Sequence, residues 1–171
     1  MNKSIETDIL IIGAGPVGLF TVFEAGLLGL KCHLVDNLDK IGGQCIELYP
    51  EKPIYDIPGV PNQTGKEHID SLLKQIEPFD YEVHLNQRVD KIEQSGDYWI
   101  AETTDGISFK TLNIFIAAGA GSFEPRKPPV ESPDKFLGKG IDYAVRSVDK
   151  YKDKDIVIFG GGDSACLLYT S

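Results

Sequence analysis

The chain has 171 residues, of which 42% are hydrophobic and 25% charged, a composition that indicates a globular protein and argues against extensive disorder. Its 26 acidic and 17 basic residues give a formal net charge of −9, so we expect no nucleic-acid partner. No apolar run approaches the ~20 residues of a membrane-spanning helix, and the run at 9–12 is too short for the core of a secretion signal. These features predict a cytoplasmic protein without a membrane partner.

The N-terminal residues carry the pattern of a strand, a helix and a second strand. Residues 8–12 form an apolar run of strand length, as in a strand buried on both faces. Residues 19–30 repeat apolar side chains at helical spacing, and residues 31–36 read as a second short strand. This order predicts two parallel strands joined by a right-handed crossover.

The middle of the chain extends this unit into a larger sheet. Residues 37–64 are rich in glycine and proline, and a connection of that length is usually functional. Beyond it we predict a helix, a strand, a three-strand antiparallel meander and a buried apolar strand, at 65–78, 81–85, 88–93, 98–103, 107–112 and 113–119. The fold class is therefore α/β, a Rossmann-like domain over residues 1–120 with a parallel sheet plus the meander.

A second domain is expected to begin at residue 121. Residues 121–133 are rich in proline and predict a linker. Residues 155–159 then form another apolar run, predicted to be a buried strand, which leads into a second glycine-rich turn. We expect 121–171 to be the truncated start of a second Rossmann-like domain that binds NAD(P)H.

The first glycine motif, Gly13-x-Gly15-x-x-Gly18, lies between a predicted strand and a predicted helix. The first glycine permits a tight turn, the second lets the backbone approach a pyrophosphate, and the third lets helix and strand pack closely. Pro16 suits the start of a helix, whose N-terminus attracts phosphate. Asp36 stands 18 residues after Gly18, close to the ~20 expected for a carboxylate that binds a ribose. A tight turn with a solvated aspartate is the alternative, and the motif alone does not separate FAD from NAD.

Two glycine motifs in one chain imply two nucleotides with electrons passing between them. The stretch 42–59 begins with Gly-Gly-Gln-Cys and, together with the inserted meander, resembles the ferredoxin–NADP reductases of the thioredoxin-reductase type. The resemblance runs from residue 8 to about 165. It implies FAD and NADPH as cofactors, ferredoxin as the electron-transfer partner and a homodimer for the full-length protein.

The resemblance also assigns residues to the two cofactors. For FAD it implies that Asp36 holds the adenosine ribose, Gln44 and Tyr49 lie along the ribityl and isoalloxazine part, and the Val89 backbone holds the adenine. Phe123 would lie near the flavin where the chain leaves the domain. Packing alone is the alternative explanation for Tyr49, Val89 and Phe123. The NADPH pyrophosphate turn would comprise Gly160, Gly162, Asp163 and Ser164.

The cysteines argue against a thiol relay. Ala144 and Ser147 stand where thioredoxin reductases carry their cysteine pair, and the next cysteine after Cys45 is Cys166. We therefore expect Cys45 and Cys32 to be small packing residues, with electrons leaving the flavin directly for an external acceptor. No side chain is nominated as catalytic. The histidines are scattered along the sequence without metal-ligand spacing, so no metal site is expected.

Two alternatives stay open at this point. The chain resembles thioredoxin reductases as well, and the 171 residues by themselves could form a non-catalytic FAD-binding module. Residues 166–171 depart from the family's pattern, which predicts a truncated or chimeric gene product with weak FAD binding and little turnover. Candidates for a basic ferredoxin-docking surface are Arg126, Lys127, Lys135 and Lys139.

Overall fold

A computed structural model describes residues 4–48, 50–121, 132–143, 145 and 147–160. The chain divides into two compact units, Met1–Phe123 and Glu124–Ser171, and each is described by itself. No helix among the described residues is both long and apolar enough to cross a membrane.

The first unit is built on a six-stranded sheet in the order β5-β2-β1-β8-β7-β6. Strands β5, β2, β1 and β8 run parallel, while β8, β7 and β6 form the antiparallel meander. The elements are β1 Ile5–Ile12, α1 Pro16–Leu27, β2 Cys32–Val35, α2 Gln44–Glu47, β3 Pro53–Ile54, β4 Gln63–Thr64, α3 Gly65–Ile76, β5 Tyr81–His84, β6 Val89–Ser95, β7 Tyr98–Thr103 and β8 Ser108–Ile116. The predicted α/β class, with a parallel sheet and an inserted meander, is confirmed.

The sheet has a separate apolar cluster in each of two layers. The larger cluster packs α1 and α3 against side chains of β1 and β2, among them Ile11 and Leu34. The smaller one joins Leu10 and Val35 of the parallel strands to residues of the meander. Burial on both faces explains why the N-terminal strands read as continuous apolar runs.

The predicted third meander strand and the predicted strand that follows it are one continuous strand. Phe109 of β8 pairs with Ile5 of β1 on one side and with Ala101 of β7 on the other. Because β8 is paired on both sides, the strand continues through residue 112. The prediction that 113–119 is buried is also wrong for β8, because Ile116 is 74% exposed. The carboxyl end of this strand is left uncovered by the described residues.

The segment 37–64 contains more structure than its composition predicts. It holds the single-turn helix α2 and a short hairpin of β3 and β4. The amide of Gly65 donates to the carbonyl of Lys52 at 3.0 Å, and the amide of Lys66 donates to the carbonyl of Pro50 at 2.8 Å. These bonds hold the end of the segment at the start of α3. The segment is therefore a structured loop that begins and ends beside the sheet.

The second unit contains two short 3-10 turns, Pro133–Phe136 and Val148–Tyr151. Lys150 and Tyr151 of the latter both donate to the carboxylate of Asp142 at 2.8 Å. The predicted buried strand at 155–159 is wrong in this structure, because these residues are irregular and Val157 is 93% exposed. A strand needs a neighbour to pair its backbone groups, and none is found for it among the described residues.

Candidate functional site

The glycine turn after β1 is packed so closely that two of its glycines cannot be replaced without movement. Gly13 adopts a φ of +110°, and its amide donates to the carbonyl of Val35 at 2.8 Å. A Cβ atom on Gly13 would collide with the carbonyl oxygen of Ala117, and one on Gly18 would collide with the carbonyl oxygen of Gly13. The first and third glycines of the motif therefore serve the tight turn and the helix contact, as the sequence predicts.

Gly15 differs from both, because no contact among the described residues requires glycine there. Its φ is −78° and its ψ is −175°, which any residue adopts. A Cβ atom at this position would meet only the Cα of Gly43, at the ordinary contact distance of 3.8 Å. In the described part of the chain, Gly43 is thus the only residue within 4 Å of that position. A backbone kept bare beside open space is what close approach of a ligand requires.

Helix α1 begins next to this space with its first turn uncapped by any side chain. Gly15 occupies the N-cap position without a side-chain hydrogen bond, and Pro16 is the first helical residue. The first amides of a helix have no intrahelical acceptor, and the helix dipole adds partial positive charge at the same end. The turn therefore offers the amide donors and the positive field that a diphosphate requires, even though the net charge of the chain is −9.

Asp36 ties the end of β2 to the glycine turn. Its Oδ2 atom accepts a hydrogen bond of 2.6 Å from the amide of Ala14, and its Oδ1 atom accepts one of 2.9 Å from the amide of Leu38. A carboxylate has about four lone-pair positions, so both oxygens retain capacity for a ribose hydroxyl. The sequence indicated only the ribose role, because the bond to Ala14 depends on how β1 and β2 end side by side.

The Gly42–Gly43 turn contacts the Gly13–Gly18 turn. The amide of Gly42 donates to the carbonyl of Ala14 at 2.9 Å. The backbones approach so closely that a Cβ atom on Gly43 would lie 3.0 Å from the Cα of Gly15. Gln44 follows at once as the first residue of α2. The Gly13–Gly18 turn and the Gly42–Gly43 turn, separated by about 25 residues in the chain, therefore form one continuous backbone surface, the glycine cradle.

The fold, the double glycine cradle and the carboxylate at the end of β2 agree with a comparison of the sequence against protein families. The model of the pyridine nucleotide-disulphide oxidoreductases matches residues 7–168. The chain belongs to this family of oxidoreductases.

Individual members of the family narrow the comparison. Two proteins called ferredoxin–NADP reductase, from Bradyrhizobium sp. strain BTAi1 and Rhodopseudomonas palustris strain BisB18, are each 55% identical to the chain over 166 residues. The match covers 96% of this chain and 48% of each relative. A crystal structure of Lactococcus lactis thioredoxin reductase superposes with a TM-score of 0.62 at 26% identity, covering 81% of this chain and 43% of that one. The resemblance found in the sequence is confirmed, and the chain spans about half the length of the curated relatives it matches.

Of the remaining residues predicted to contact cofactors, the structure describes only some. Val89 begins β6, and its side chain packs against the apolar cluster of Leu10 and Val35, so its role as a packing residue is confirmed while its backbone contact to adenine stays a prediction. Gly160 is the last described residue and lies in irregular chain. Outside the described residues lie Tyr49, Phe123, Gly162, Asp163 and Ser164.

Many members of a disulphide oxidoreductase family use thiols, but the two cysteines that the structure describes are not set up for that chemistry. Cys32 is fully buried in β2, and burial, aided by Asp8 and Asp80, raises the pKa of its thiol to about 11. Cys45 is half-buried and packs against the larger apolar cluster, and burial raises the pKa of its thiol as well. Both are free thiols held in the protonated form at neutral pH, as expected of packing residues.

Cys45 also lines an open cleft in the first unit. The cleft has a volume of about 430 Å³ and is enclosed by the hairpin segment 52–56 and by Gly65 at the start of α3. Most of its walls come from the segment 37–64, which the sequence marked as functional by its length, its composition and the resemblance of 42–59. Lys52 and Asp56 are polar residues of this cleft to which the sequence assigned no individual role.

The structure also brings together two histidines that look scattered in the sequence. His33 of β2 and His84 of β5 stack their rings 5.2 Å apart, and Glu82 joins them. Burial lowers the pKa of both imidazoles, so both are neutral at neutral pH. In the parallel pairing of β2 with β5, His33 lies opposite Glu82 and His84 lies opposite Val35, on the same face of the sheet. The spacing of histidines in a single sequence does not show this pairing.

Proposed function

We propose that this chain forms the FAD-binding part of a flavoprotein that passes electrons between NADPH and ferredoxin. The observation that carries the proposal is the bare backbone at Gly15, which faces open space at the uncapped start of α1 and is flanked by Gly43. That arrangement fits a dinucleotide diphosphate, and the 55% identity to proteins called ferredoxin–NADP reductase supports the reaction.

The chain's own residues would divide the binding of FAD between them. The amides of the Gly13–Gly18 turn would hold the diphosphate, and the carboxylate of Asp36, already oriented by Ala14 and Leu38, would accept a hydrogen bond from the adenosine ribose. Gln44 begins α2 beside the cradle, at a position consistent with its predicted contact to the flavin end. Bound FAD would supply the step from two-electron to one-electron transfer, which no amino-acid side chain provides.

The proposals for the second nucleotide, NADPH, and for the protein partner, ferredoxin, rest on the names of the relatives and on the sequence. NADPH would bind at the glycine turn that contains Gly160, Gly162, Asp163 and Ser164. Ferredoxin would receive the electrons, since the relatives are called ferredoxin–NADP reductases. Of the four candidates for a docking surface, Lys135 and Lys139 are exposed in the second unit and suit an acidic partner, while Arg126 and Lys127 lie outside the described residues. The full-length protein would act in the cytoplasm as a homodimer.

Thioredoxin reduction is the second candidate, because the fold matches that of the Lactococcus lactis enzyme. Thiol relay requires two sulfur atoms within bonding distance, about 2 Å when oxidised. Ala144 and Ser147 occupy the positions where such a pair would stand, and the described cysteines are protonated packing residues. Direct transfer from flavin to ferredoxin therefore fits this chain better.

A hybrid enzyme tests the proposal without depending on residues beyond 171. Residues 1–165 would replace the matching segment of the Bradyrhizobium relative, and the purified hybrid would be examined for flavin absorbance and for NADPH oxidation. We expect a yellow protein that reduces ferredoxin and shows negligible activity towards thioredoxin. A folded hybrid that stays colourless after incubation with FAD contradicts the binding proposal, whereas a yellow hybrid that prefers thioredoxin contradicts only the choice of acceptor.

A further inference from the structure

Three metal-ligating side chains meet on the outer strands of the sheet, outside the proposed FAD cradle. Strand β5 lies at the edge and pairs in parallel with β2, which places Glu82 opposite His33 and His84 opposite Val35. One ligand atom from each of His33, Glu82 and His84 lies within 4.8 Å of the other two. Nothing in the proposed electron transfer uses these residues.

The state of His33 shows that this cluster is incomplete as a hydrogen-bond network. The ring is only 1% exposed, and its Nδ1 atom lies 2.9 Å from Nε2 of His84, a hydrogen bond between the two imidazoles. Its Nε2 atom is buried and has no hydrogen-bond partner in the part of the chain that the structure describes. The nearest acidic atom is Oε1 of Glu82, at 3.8 Å. A buried polar atom without a partner is costly, so a structure that retains one calls for an explanation.

We propose that His33, Glu82 and His84 bind one divalent transition-metal ion of the zinc class. Two imidazoles and one carboxylate form a donor set that Zn²⁺ accepts, with a fourth position left to solvent. The Glu82 side chain is 56% exposed, so the cluster opens to solvent on that side and an ion can enter there. Binding would give the orphaned nitrogen of His33 a partner.

The ligands must draw together by a modest amount to hold the ion. Metal–ligand distances of about 2.0–2.2 Å in a tetrahedral site correspond to ligand atoms roughly 3.3 Å apart, less than the present 4.8 Å limit. Glu82 can supply most of this movement, because its side chain is exposed and free to change rotamer. Lys31 competes for the same carboxylate at 3.2 Å, and exposure of both partners keeps that ion pair weak.

An ion at this position would fasten the edge strand β5 to β2. The chain leaving β5 runs directly along the end of β2, where the amide of Asn86 donates to the carbonyl of Leu38 and the amide of Gln87 donates to the carbonyl of Asp36. Since the ion would bind the folded state through residues of both strands, its binding would stabilise this edge of the sheet. The effect to be measured is therefore the stability of this edge of the sheet.

The test is titration of the metal-free 171-residue chain with Co²⁺ and Zn²⁺. Cobalt reports its ligands by visible absorption, and charge-transfer bands in the near ultraviolet would reveal binding by cysteine instead. The variants are Glu82→Gln, which changes an exposed residue, and His84→Asn. Their controls are Glu24→Gln and His68→Asn, in helices α1 and α3 and outside the cluster. Circular dichroism confirms that each variant is folded.

We expect one Co²⁺ per chain without thiolate bands, displaced by Zn²⁺, and a melting temperature that rises with Zn²⁺ concentration. Affinity should fall at least tenfold in Glu82→Gln and in His84→Asn and stay unchanged in both controls. Absence of binding, a thiolate spectrum, or wild-type affinity in Glu82→Gln would overturn the proposal. If His84→Asn misfolds, Glu82→Gln still tests the proposal, because it alters a solvent-exposed side chain.

Discussion

The carboxylate of Asp36 accepts a hydrogen bond of 2.6 Å from the backbone amide of Ala14, which lies in the middle of the glycine turn. This contact joins the end of β2 to the loop that follows β1. Asp36 therefore has two functions in the proposed site: it would bind the ribose, and it fixes the turn whose amides would bind the diphosphate. Loss of the charge should affect both.

Replacement of Asp36 by Asn tests this double role. The amide side chain keeps the size and one acceptor oxygen but loses the negative charge, and hydrogen bonds to charged groups contribute about 1.5–3 kcal/mol. We expect FAD affinity to fall by roughly one to two orders of magnitude, measured by quenching of flavin fluorescence. The control Asp97→Asn, in the exposed turn between β6 and β7, should bind FAD as the wild type does. Equal affinity in the two variants would contradict the role of Asp36.

The glycine motif allows a matched comparison of two single-methyl changes. A Cβ atom on Gly15 would enter open space 3.8 Å from Gly43, whereas one on Gly18 would collide with the carbonyl oxygen of Gly13. Gly15→Ala should therefore keep the melting temperature near that of the wild type and lose FAD binding. Gly18→Ala should be destabilised by about 1–3 kcal/mol in chemical denaturation, because overpacked sites must shift their surroundings. A Gly15→Ala protein that retains full FAD affinity would show that the space is not the diphosphate site.

The sequence predicted the parts of the fold that depend on local patterns. The apolar strands β1 and β2, the glycine turn and the amphipathic helix α3 were recognisable because burial and turn chemistry leave marks at fixed spacing. The continuity of β8 was not recognisable, because its pairing with β1 on one side and β7 on the other depends on residues far away in the chain. The exposed run at 155–159 was predicted to be buried because apolar composition does not reveal whether a pairing partner is present.

In the candidate site too, the residues set by local spacing were predictable and those that meet through tertiary pairing were not. The spacing of Gly13, Gly15, Gly18 and Asp36 is encoded locally, so the sequence indicated that these residues lie together, while their contacts to a diphosphate and a ribose stay a prediction. The contact between Gly43 and Gly15 and the meeting of His33 with His84 depend on tertiary pairing. Contacts between residues distant in the chain leave no period in a single sequence, so they became visible only in the structure.

Helix α3 begins with a reciprocal capping box, from which we predict the effect of a substitution on the free energy of unfolding. The side chain of Thr64 accepts from the amide of Glu67 at 3.1 Å, and the side chain of Glu67 accepts from the amide of Thr64 at 2.8 Å. Thr64→Ala should lower the free energy of unfolding by about 1 kcal/mol, because the first turn of the helix loses an acceptor. The exposed Thr104→Ala serves as the control in chemical denaturation. A Thr64→Ala variant as stable as this control would contradict the capping role.

Cys32 predicts how stability responds to alkaline pH. Its thiol has a pKa of about 11 in the folded protein against 9.0 ordinarily, because burial disfavours the thiolate. Between these two values the unfolded chain releases a proton that the folded chain keeps, so the free energy of unfolding falls as pH rises. Two pKa units correspond to roughly 2–3 kcal/mol for the complete window. Urea denaturation from pH 8 to 11 should therefore show a steeper loss of stability in the wild type than in Cys32→Ala, in which that thiol is absent. Parallel curves for the two proteins would show that the Cys32 thiol ionises as readily in the folded state as in the unfolded chain.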